Sequence, residues 1–424
     1  INSKNPIERN RSVIEQSGIK TLLTGFVDDN ILKLAAESNC KLIDTSKLID
    51  SEINLSLPNV SDDEIAYILF TSGSTGIPKG VPITRANVDA LMDAFYDLGY
   101  EIDENDRFMQ MFELTFDFSV ICYFAPLVKG ASIYTVSNEG IKYGNVYTTL
   151  EDHEITFACM VPSIITYLKP YFEDINLPKL KYSLFCGEAL YDDIAQGWQK
   201  CTPNSKIINT YGPTEATVFC TVYNWNPEIK NKTLNGVVCI GKSMKNMMSI
   251  VVDEKGVELP SGEKGELALA GKQLTPGYWK NPEKNKEAFF KLNVNGTETE
   301  TTFYRSGDLA LADSDGDLMY LGRKDNQVKI QGFRVELGEI EHHAREFTKV
   351  SCVAMAYNNG SGITILHLFL ENYLGTTEAL QENLKSKVPF YMVPTAYTLL
   401  TNFPLNTNGK IDRIELQKLL PKEL

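Results

Sequence analysis

From residue 65 to about residue 270, short apolar runs alternate with segments whose apolar positions recur at helical spacing. The strand-like runs include Ile65-Ala66-Tyr67-Ile68-Leu69-Phe70, Val81-Pro82-Ile83, Ala131-Ser132-Ile133-Tyr134-Thr135-Val136, Thr156-Phe157-Ala158-Cys159-Met160-Val161 and Tyr182-Ser183-Leu184-Phe185-Cys186. Helical periodicity covers 84–98, 163–172 and 190–200, with Thr84 placed to cap the first of these. Continuous apolar strands separated by helices predict a sheet covered on both faces. Ligands of such sheets lie beyond the carboxyl ends of the strands. The loop after Phe70, the turn Cys186-Gly187-Glu188 and the turn Tyr211-Gly212-Pro213 each follow a strand, and are expected to converge on one crevice.

From about Ile250 to Leu321 the pattern becomes strand-rich. Asp253-Glu254-Lys255-Gly256, Ser261-Gly262-Glu263 and Asp313-Ser314-Asp315-Gly316 act as turns. A fresh α+β unit follows Gly322-Arg323-Lys324-Asp325, with helices over 337–347 and 377–388. The fold class is therefore α/β. A large domain, 1–324, consists of sheets covered by helices and includes a β-rich subdomain at about 245–324. A small α+β domain, 325–424, is joined to it by a hinge at Asp325.

At 424 residues the chain is too long for one core. With 43% hydrophobic and 23% charged residues its composition is that of a globular protein. No stretch has the length and apolarity of a membrane span, and a cytoplasmic location is expected. A net charge of −14 argues against nucleic acid as a partner. The chain begins Ile1-Asn2-Ser3-Lys4, without signal peptide or initiator methionine, and is expected to start partway into a longer protein. Its eight cysteines form no CxxC pair and are expected to be reduced, buried thiols. The four histidines are His153, His342, His343 and His367. His342 and His343 are neighbours on a helix and face different sides, so zinc or a Ser-His-Asp triad is not expected. Any chemistry must come from positioning and electrostatics.

The densest concentration of such groups is Thr71-Ser72-Gly73-Ser74-Thr75-Gly76-Ile77-Pro78-Lys79-Gly80, where three glycines, four hydroxyls and one lysine lie between two apolar strands. Glycines let backbone N–H groups approach an anion, and hydroxyls and lysine add donors and charge. A Walker loop is excluded, because Lys79 is followed by Gly80 and a strand rather than by a hydroxyl entering a helix.

This loop resembles the phosphate loop of the adenylate-forming enzymes, and further motifs follow in the family's order. Asn209-Thr210-Tyr211-Gly212-Pro213-Thr214-Glu215 resembles the adenine and magnesium segment, and Tyr304-Arg305-Ser306-Gly307-Asp308-Leu309 the ribose segment. Gly322 to Ile330, with Gly332 to Glu341, resembles the hinge. Pro389-Phe390-Tyr391-Met392-Val393-Pro394 and Asn408-Gly409-Lys410-Ile411-Asp412-Arg413 resemble the two C-terminal motifs. The likeness covers nearly the whole chain, apart from an N-terminal portion that the family has and this chain lacks.

The resemblance implies attack of a carboxylate on the α-phosphate of ATP, expelling pyrophosphate. Two anions must meet, so neutralisation and alignment are the task. Thr71, Ser72, Gly73, Ser74, Thr75 and Gly76 would cradle the phosphates; Lys79 either adds positive charge or remains solvated. Glu215 would hold Mg2+, which favours carboxylate oxygen, and Thr214 would contact the α-phosphate. Tyr211 would stack on adenine, with Asn209 and Thr210 beside it. Asp308 would accept the ribose hydroxyls, assisted by Arg323. Lys410 would bridge the substrate carboxylate and the α-phosphate. In the family the small domain then rotates about the Asp325 position, withdrawing the lysine and presenting another face to the thiol.

Phe116-Asp117-Phe118-Ser119 separates the branches. Asp117 either caps the following helix or is the counter-ion of an ammonium group, which the resemblance assigns to amino-acid-activating members. The remaining pocket positions implied are Phe118, Ile121, Cys159, Leu184, Cys186, Gly187, Thr210, Val218 and Phe219. They are mostly apolar, and the two phenylalanines predict a shallow pocket for a small amino acid. Leu184 to Glu188 and Asn209 to Val218 are similar to the D-alanine–carrier protein ligases, in which the cysteine at the Cys186 position favours D-alanine. Those ligases have smaller residues where Phe118 and Phe219 stand, so glycine, L-alanine and serine stay open.

The expected reaction is aminoacyl-AMP formation, then transfer to the phosphopantetheine of an acyl or peptidyl carrier protein, expected as a separate protein or beyond Leu424. Two alternatives are an acyl- or aryl-CoA ligase of the same fold and a non-catalytic nucleotide- or carrier-binding module.

Overall fold

A computed structural model describes residues 1–48, 58–73, 77–293, 300–325, 327–359, 363–405 and 411–421. Its centre is a seven-stranded sheet in the spatial order Lys242–Ser243, Thr221–Trp225, Lys206–Tyr211, Tyr182–Phe185, Phe157–Met160, Arg107–Gln110, Ser132–Thr135. The last five strands in that order run parallel, and Thr221–Trp225 returns antiparallel. Phe157–Met160 and Tyr182–Phe185 are buried at every position, as strands covered on both faces must be.

Alternate strand residues feed two cores. Met109, Ala158, Met160, Phe185 and Ile207 pack with helices Lys142–Asp152, Pro162–Leu168 and Asp192–Cys201 on one face. Phe108, Phe157, Cys159, Leu184 and Ile208 pack with Arg85–Asp97 and Ser119–Val128 on the other. Thr84 does cap its helix: its hydroxyl accepts the Asn87 N–H and the Asn87 side chain accepts the Thr84 N–H. The helix expected from residue 190 starts at Asp192, because Tyr191 bridges Val237 and the Asp192 N–H is drawn to the Gly236 carbonyl. The helix expected at 163–172 starts at Pro162 and tightens into a 3-10 turn, Lys169–Tyr171.

The β-rich segment is a second, antiparallel sheet of Met247–Val252, Gly265–Gly271, Thr301–Ala312 and Phe289–Leu292, with Leu318–Arg323 paired to Thr301–Ala312. Asp313 forms the anticipated turn by accepting the N–H groups of Asp315 and Asp317. The Lys232 ammonium fills the space among those three carboxylates at 2.6–2.8 Å.

Asp325 lies between Leu318–Arg323 and the strand Gln327–Ile330, which pairs with Phe333–Glu336. Gln331 and Gly332 close that hairpin with φ of 50° and 83°, as a two-residue turn between twisted strands requires. Beyond it, helices Leu337–Thr348 and Thr377–Lys385 pack on the sheet Cys352–Asn358, Thr364–Glu371, Ala396–Leu400 around a separate core. The chain's first elements, helices Ile7–Ser17 and Asp29–Glu37 with the parallel pair Thr21–Thr24 and Lys41–Asp44, were not anticipated; the strands are only four residues long and partly exposed. All eight cysteines are free, and seven are buried. Among the described residues no helix is long and apolar enough to cross a membrane.

Candidate active site

A cavity of about 420 Å³ opens at the carboxyl end of the large sheet. Thr71 and Ser72 line it from the end of one strand, Cys186 and Gly187 from another, and Tyr211 and Thr214 from a third. Asp117, Phe118, Val218, Asp308 and Arg323 complete the large-domain wall. A second cavity, about 380 Å³, adjoins it and is lined by Gly187, Glu188, Asn209, Thr210, Tyr211, Tyr320 and Arg323. The expected convergence of strand-end loops is thus present, spread over two adjoining spaces.

At one end, the floor is apolar and tightly packed. Phe118, Ile121, Cys159, Leu184, Cys186, Val218 and Phe219 belong to a single buried core cluster. Of these, Phe118, Cys186 and Val218 reach the cavity, while Ile121, Cys159, Leu184 and Phe219 stand behind them. The Phe118 and Phe219 rings meet edge to face with centroids 6.1 Å apart. Burial pushes the Cys186 thiol up to about 11, so it meets a ligand as a neutral thiol. Thr217 and Val218 carry φ of 53° and 73°, a region costly for a β-branched side chain. Gln273, itself buried, supports that loop by donating to the Phe219 carbonyl at 2.8 Å and accepting the Thr217 hydroxyl on its own carbonyl.

Asp117 stands at the mouth of this floor. It is not a helix cap: the following helix begins at Ser119, its N-cap is Phe118, and no side chain caps it. Its carboxylate instead accepts the Thr214 hydroxyl at 2.5 Å. Burial pushes its pKa up to about 6, against the Thr214 hydrogen bond; Glu215 raises it further and Lys329 opposes. A carboxylate so placed is short of positive charge.

At the other end polar groups gather. Glu215 is fully buried; its carboxylate accepts the Tyr278 hydroxyl at 2.6 Å and is gripped by Arg334 at 3.1 and 3.2 Å. Burial pushes it up, but Arg334, Lys79 and Tyr278 outweigh burial and hold it at about 2. A buried, permanently ionised oxygen donor of this kind suits Mg2+. Lys79 is not a solvated lysine. It packs over the Tyr278 ring, 5.1 Å to the centroid, and burial, aided by Arg334, lowers its pKa to about 8. Asp308 accepts the Tyr211 hydroxyl at 2.5 Å and Arg323 at 3.0 Å. Asn209 donates to the Cys239 carbonyl and Thr210 to the Phe185 carbonyl. Ser74, Thr75, Gly76 and Lys410 lie outside the described residues.

Between the two ends sits the small-domain hairpin of residues 327–336. Its tip enters the site: the Glu188 carboxylate accepts the Gly332 N–H at 2.9 Å and the Ser163 N–H at 2.8 Å. A Cβ at Gly332 would approach Val161 to 2.6 Å, so no larger residue fits that tip unchanged. Phe333 packs edge-on to Phe116 with centroids 5.2 Å apart, and Ser72 donates its hydroxyl to the Arg334 carbonyl at 2.7 Å. Lys329 places its ammonium 5.6 Å from the Tyr211 ring centroid and lines both cavities. Asp325, exposed as a pivot should be, is paired with Arg323 at 2.6 Å.

Residues 1–279 match the family model described as "AMP-binding enzyme". The chain belongs to the AMP-binding enzyme family. As such it is an adenylate-forming ligase whose reaction uses ATP and Mg2+. The AMP-binding enzyme is 34% identical over 416 residues to a linear gramicidin synthase of Brevibacillus parabrevis, covering 96% of this chain but only 5% of that protein. It is 32% identical over 431 residues to a D-alanine–D-alanyl carrier protein ligase of Bacillus cereus, covering 97% of this chain and 82% of the relative. Among solved structures, the Vibrio cholerae adenylation domain AlmE, in complex with glycyl-adenosine-5'-phosphate, superposes with a TM-score of 0.80 at 26% identity, over 99% of this chain and 84% of that one.

Sequence reasoning missed several groups that this AMP-binding enzyme brings to the site: Glu188, Tyr278, Gln273, Lys329 and Arg334. Glu188 carried a signal, being a carboxylate in a strand-end turn. Tyr278 and Gln273 carried none, because they arrive from the β-rich sheet's connecting segment.

Proposed function

We propose that this ligase activates a small amino acid, with D-alanine the leading substrate, as the aminoacyl-AMP and then transfers it to the phosphopantetheine thiol of a carrier protein. The observation that carries the reading is Asp117: a carboxylate starved of positive charge at the mouth of an apolar pocket, where a substrate ammonium supplies the missing cation. Phe118 and Phe219 close the floor and leave room for a very short side chain.

Thr71, Ser72, Gly73 and Lys79, with Ser74, Thr75 and Gly76, hold the polyphosphate. Glu215 holds Mg2+, which when bound neutralises phosphate charge. Tyr211, Asn209 and Thr210 contact adenine, and Asp308 with Arg323 orients the ribose. Thr214 links the two halves, since it sits between Asp117 and the nucleotide segment. Lys410 supplies charge at the reacting carboxylate and α-phosphate. In the arrangement described, the small-domain hairpin occupies the site, which fits the second step: pyrophosphate has gone, the lysine has withdrawn, and the Gly332 tip borders the path for the thiol.

Glycine is the second substrate reading, favoured by the bulk of Phe118 and Phe219 and by the glycyl-adenylate in the similar AlmE domain. Pyrophosphate exchange across D- and L-amino acids, glycine and amine-free acids tests both. Exchange is expected with D-alanine or glycine and not with propionate or benzoate; exchange driven by amine-free acids alone would overturn the reading.

A further inference from the structure

The phosphate end contains one more buried cation, which neither the motifs nor the pocket mapping revealed. Arg9, on the helix Ile7–Ser17 of the large domain, is 9% exposed and lines the same cavity as Thr71, Ser72, Thr214 and Arg334. Its guanidinium lies 2.6 Å from the Glu339 carboxylate, which belongs to the small-domain helix Leu337–Thr348. Glu339 is itself fully buried, and its second carboxylate oxygen has no hydrogen-bond partner among the described residues. The Gly73 backbone N–H, in the phosphate loop, is among the groups that favour its charged form, after Arg9 and against the dominant effect of burial.

The small domain thus engages the phosphate end with matched charges. Its cation Arg334 sits on Glu215, where Mg2+ is proposed to bind. Its Arg334 carbonyl takes the Ser72 hydroxyl, where a phosphate oxygen is proposed. Its anion Glu339 sits on Arg9 beside Gly73. Only the function of Arg9 is unaccounted for. When the small domain turns away to bring Lys410 in, Arg9 loses its counter-ion while remaining in the large domain. A buried guanidinium needs a replacement anion, and its planar fork matches phosphate oxygens.

We propose that Arg9 is a binding residue for the terminal phosphates of ATP, and that Glu339 is the carboxylate that takes their place when the small domain docks. The proposal rests on the adenylation reading of the cavity. It makes docking and polyphosphate occupancy mutually exclusive, so retained pyrophosphate holds the small domain off.

The test is calorimetric titration of the full chain with ATP, inorganic pyrophosphate and AMP, in wild type, Arg9→Gln, Arg9→Lys and Glu339→Gln. Arg9→Gln is expected to weaken ATP and pyrophosphate by about tenfold or more, as loss of a charge-assisted contact does, and to leave AMP unchanged. Glu339→Gln removes the competitor and is expected to bind ATP as tightly as wild type or more so. Equal losses for ATP and AMP in Arg9→Gln, no loss for either, or an ATP loss in Glu339→Gln as large as in Arg9→Gln would reduce the pair to an interdomain staple and overturn the proposal. Should Arg9→Gln not fold, Arg9→Lys keeps charge without the fork; it is expected to show the same selective loss at smaller size, and unchanged ATP affinity overturns the proposal. A wild type that binds ATP but activates no carboxylic acid sinks the adenylation reading instead, leaving the ATP-to-AMP ratio of the variants to judge Arg9.

Discussion

The amino-acid end and the polyphosphate end of this site are built on opposite principles. The first is part of the large-domain core: Phe118, Ile121, Cys159, Leu184 and Phe219 are buried against one another within one domain. The second is a set of charges completed across a domain boundary, with Arg334 on Glu215, Glu339 on Arg9 and the Arg334 carbonyl on Ser72. Close packing is bistable only at high cost, so a packed floor selects one shape. Ion pairs and hydrogen bonds exchange partners readily when each new partner restores the balance of charge. Selectivity is therefore stored where nothing moves, and the two-step reaction is handled where everything is interchangeable. Asp117 and Thr214, joined at 2.5 Å, form the seam.

The comparison breaks most visibly at Lys410. Lys410→Ala is expected to lower the adenylation rate by about 10²–10³ while ATP still binds. Retention of the wild-type rate in pyrophosphate exchange would remove the mobile cation from the scheme. Next in size, Asp117→Ala should raise the amino-acid KM by about 10², the cost of leaving an ammonium unpaired in an apolar mouth. Because Asp117 titrates near 6 in the free site, its neutral form grows as pH falls below that value. The amino-acid KM should then climb about tenfold per unit below pH 6, while the ATP KM stays flat. The same raised pKa means that the ionised carboxylate costs folding stability above the unfolded value of 3.8, so Asp117→Asn should raise the melting temperature at pH 7 even as it loses amine recognition. A variant that melts lower would show that the Thr214 contact outweighs the burial cost.

Phe219→Leu tests the floor. It should admit an amino acid with one further carbon, improving its selectivity against alanine by roughly tenfold. Unchanged preferences would place the size filter elsewhere. The smallest effect is expected at Glu188, which holds the hairpin tip through the Gly332 N–H. Glu188→Gln keeps the shape and loses charge, so transfer to a carrier thiol should slow by roughly a few-fold with adenylation unaffected. Loss of both steps together would assign Glu188 to the integrity of the helix Pro162–Leu168, whose Ser163 N–H it also accepts.

Much of this was legible in the chain. The alternation of apolar runs and helical segments marked the parallel strands and their helices, because a strand buried on both faces leaves no polar position to confuse the pattern. Thr84 announced its helix through local hydrogen bonding alone. The motif order located Asp117, the phosphate loop, Tyr211, Glu215 and Asp308, and the structure gathers these around two adjoining cavities. The short N-terminal elements escaped notice because four-residue strands with exposed positions carry almost no periodic signal.

The amino-acid order alone determined which segments become strands and helices, and which side chains carry charge and donors to the strand ends. Local periodicity and turn chemistry act over a few residues, and those are written in the chain directly. Partnership was decided only in three dimensions. Asp117 reads equally as a cap or a counter-ion until its helix is seen to begin at Ser119. Lys79 reads equally as solvated or packed until Tyr278 lies beneath it. The pairs Arg334 with Glu215 and Arg9 with Glu339 join residues 119 and 330 positions apart. The energy of a buried charge depends on what surrounds it rather than on its neighbours in sequence, and only the packed fold supplies those surroundings.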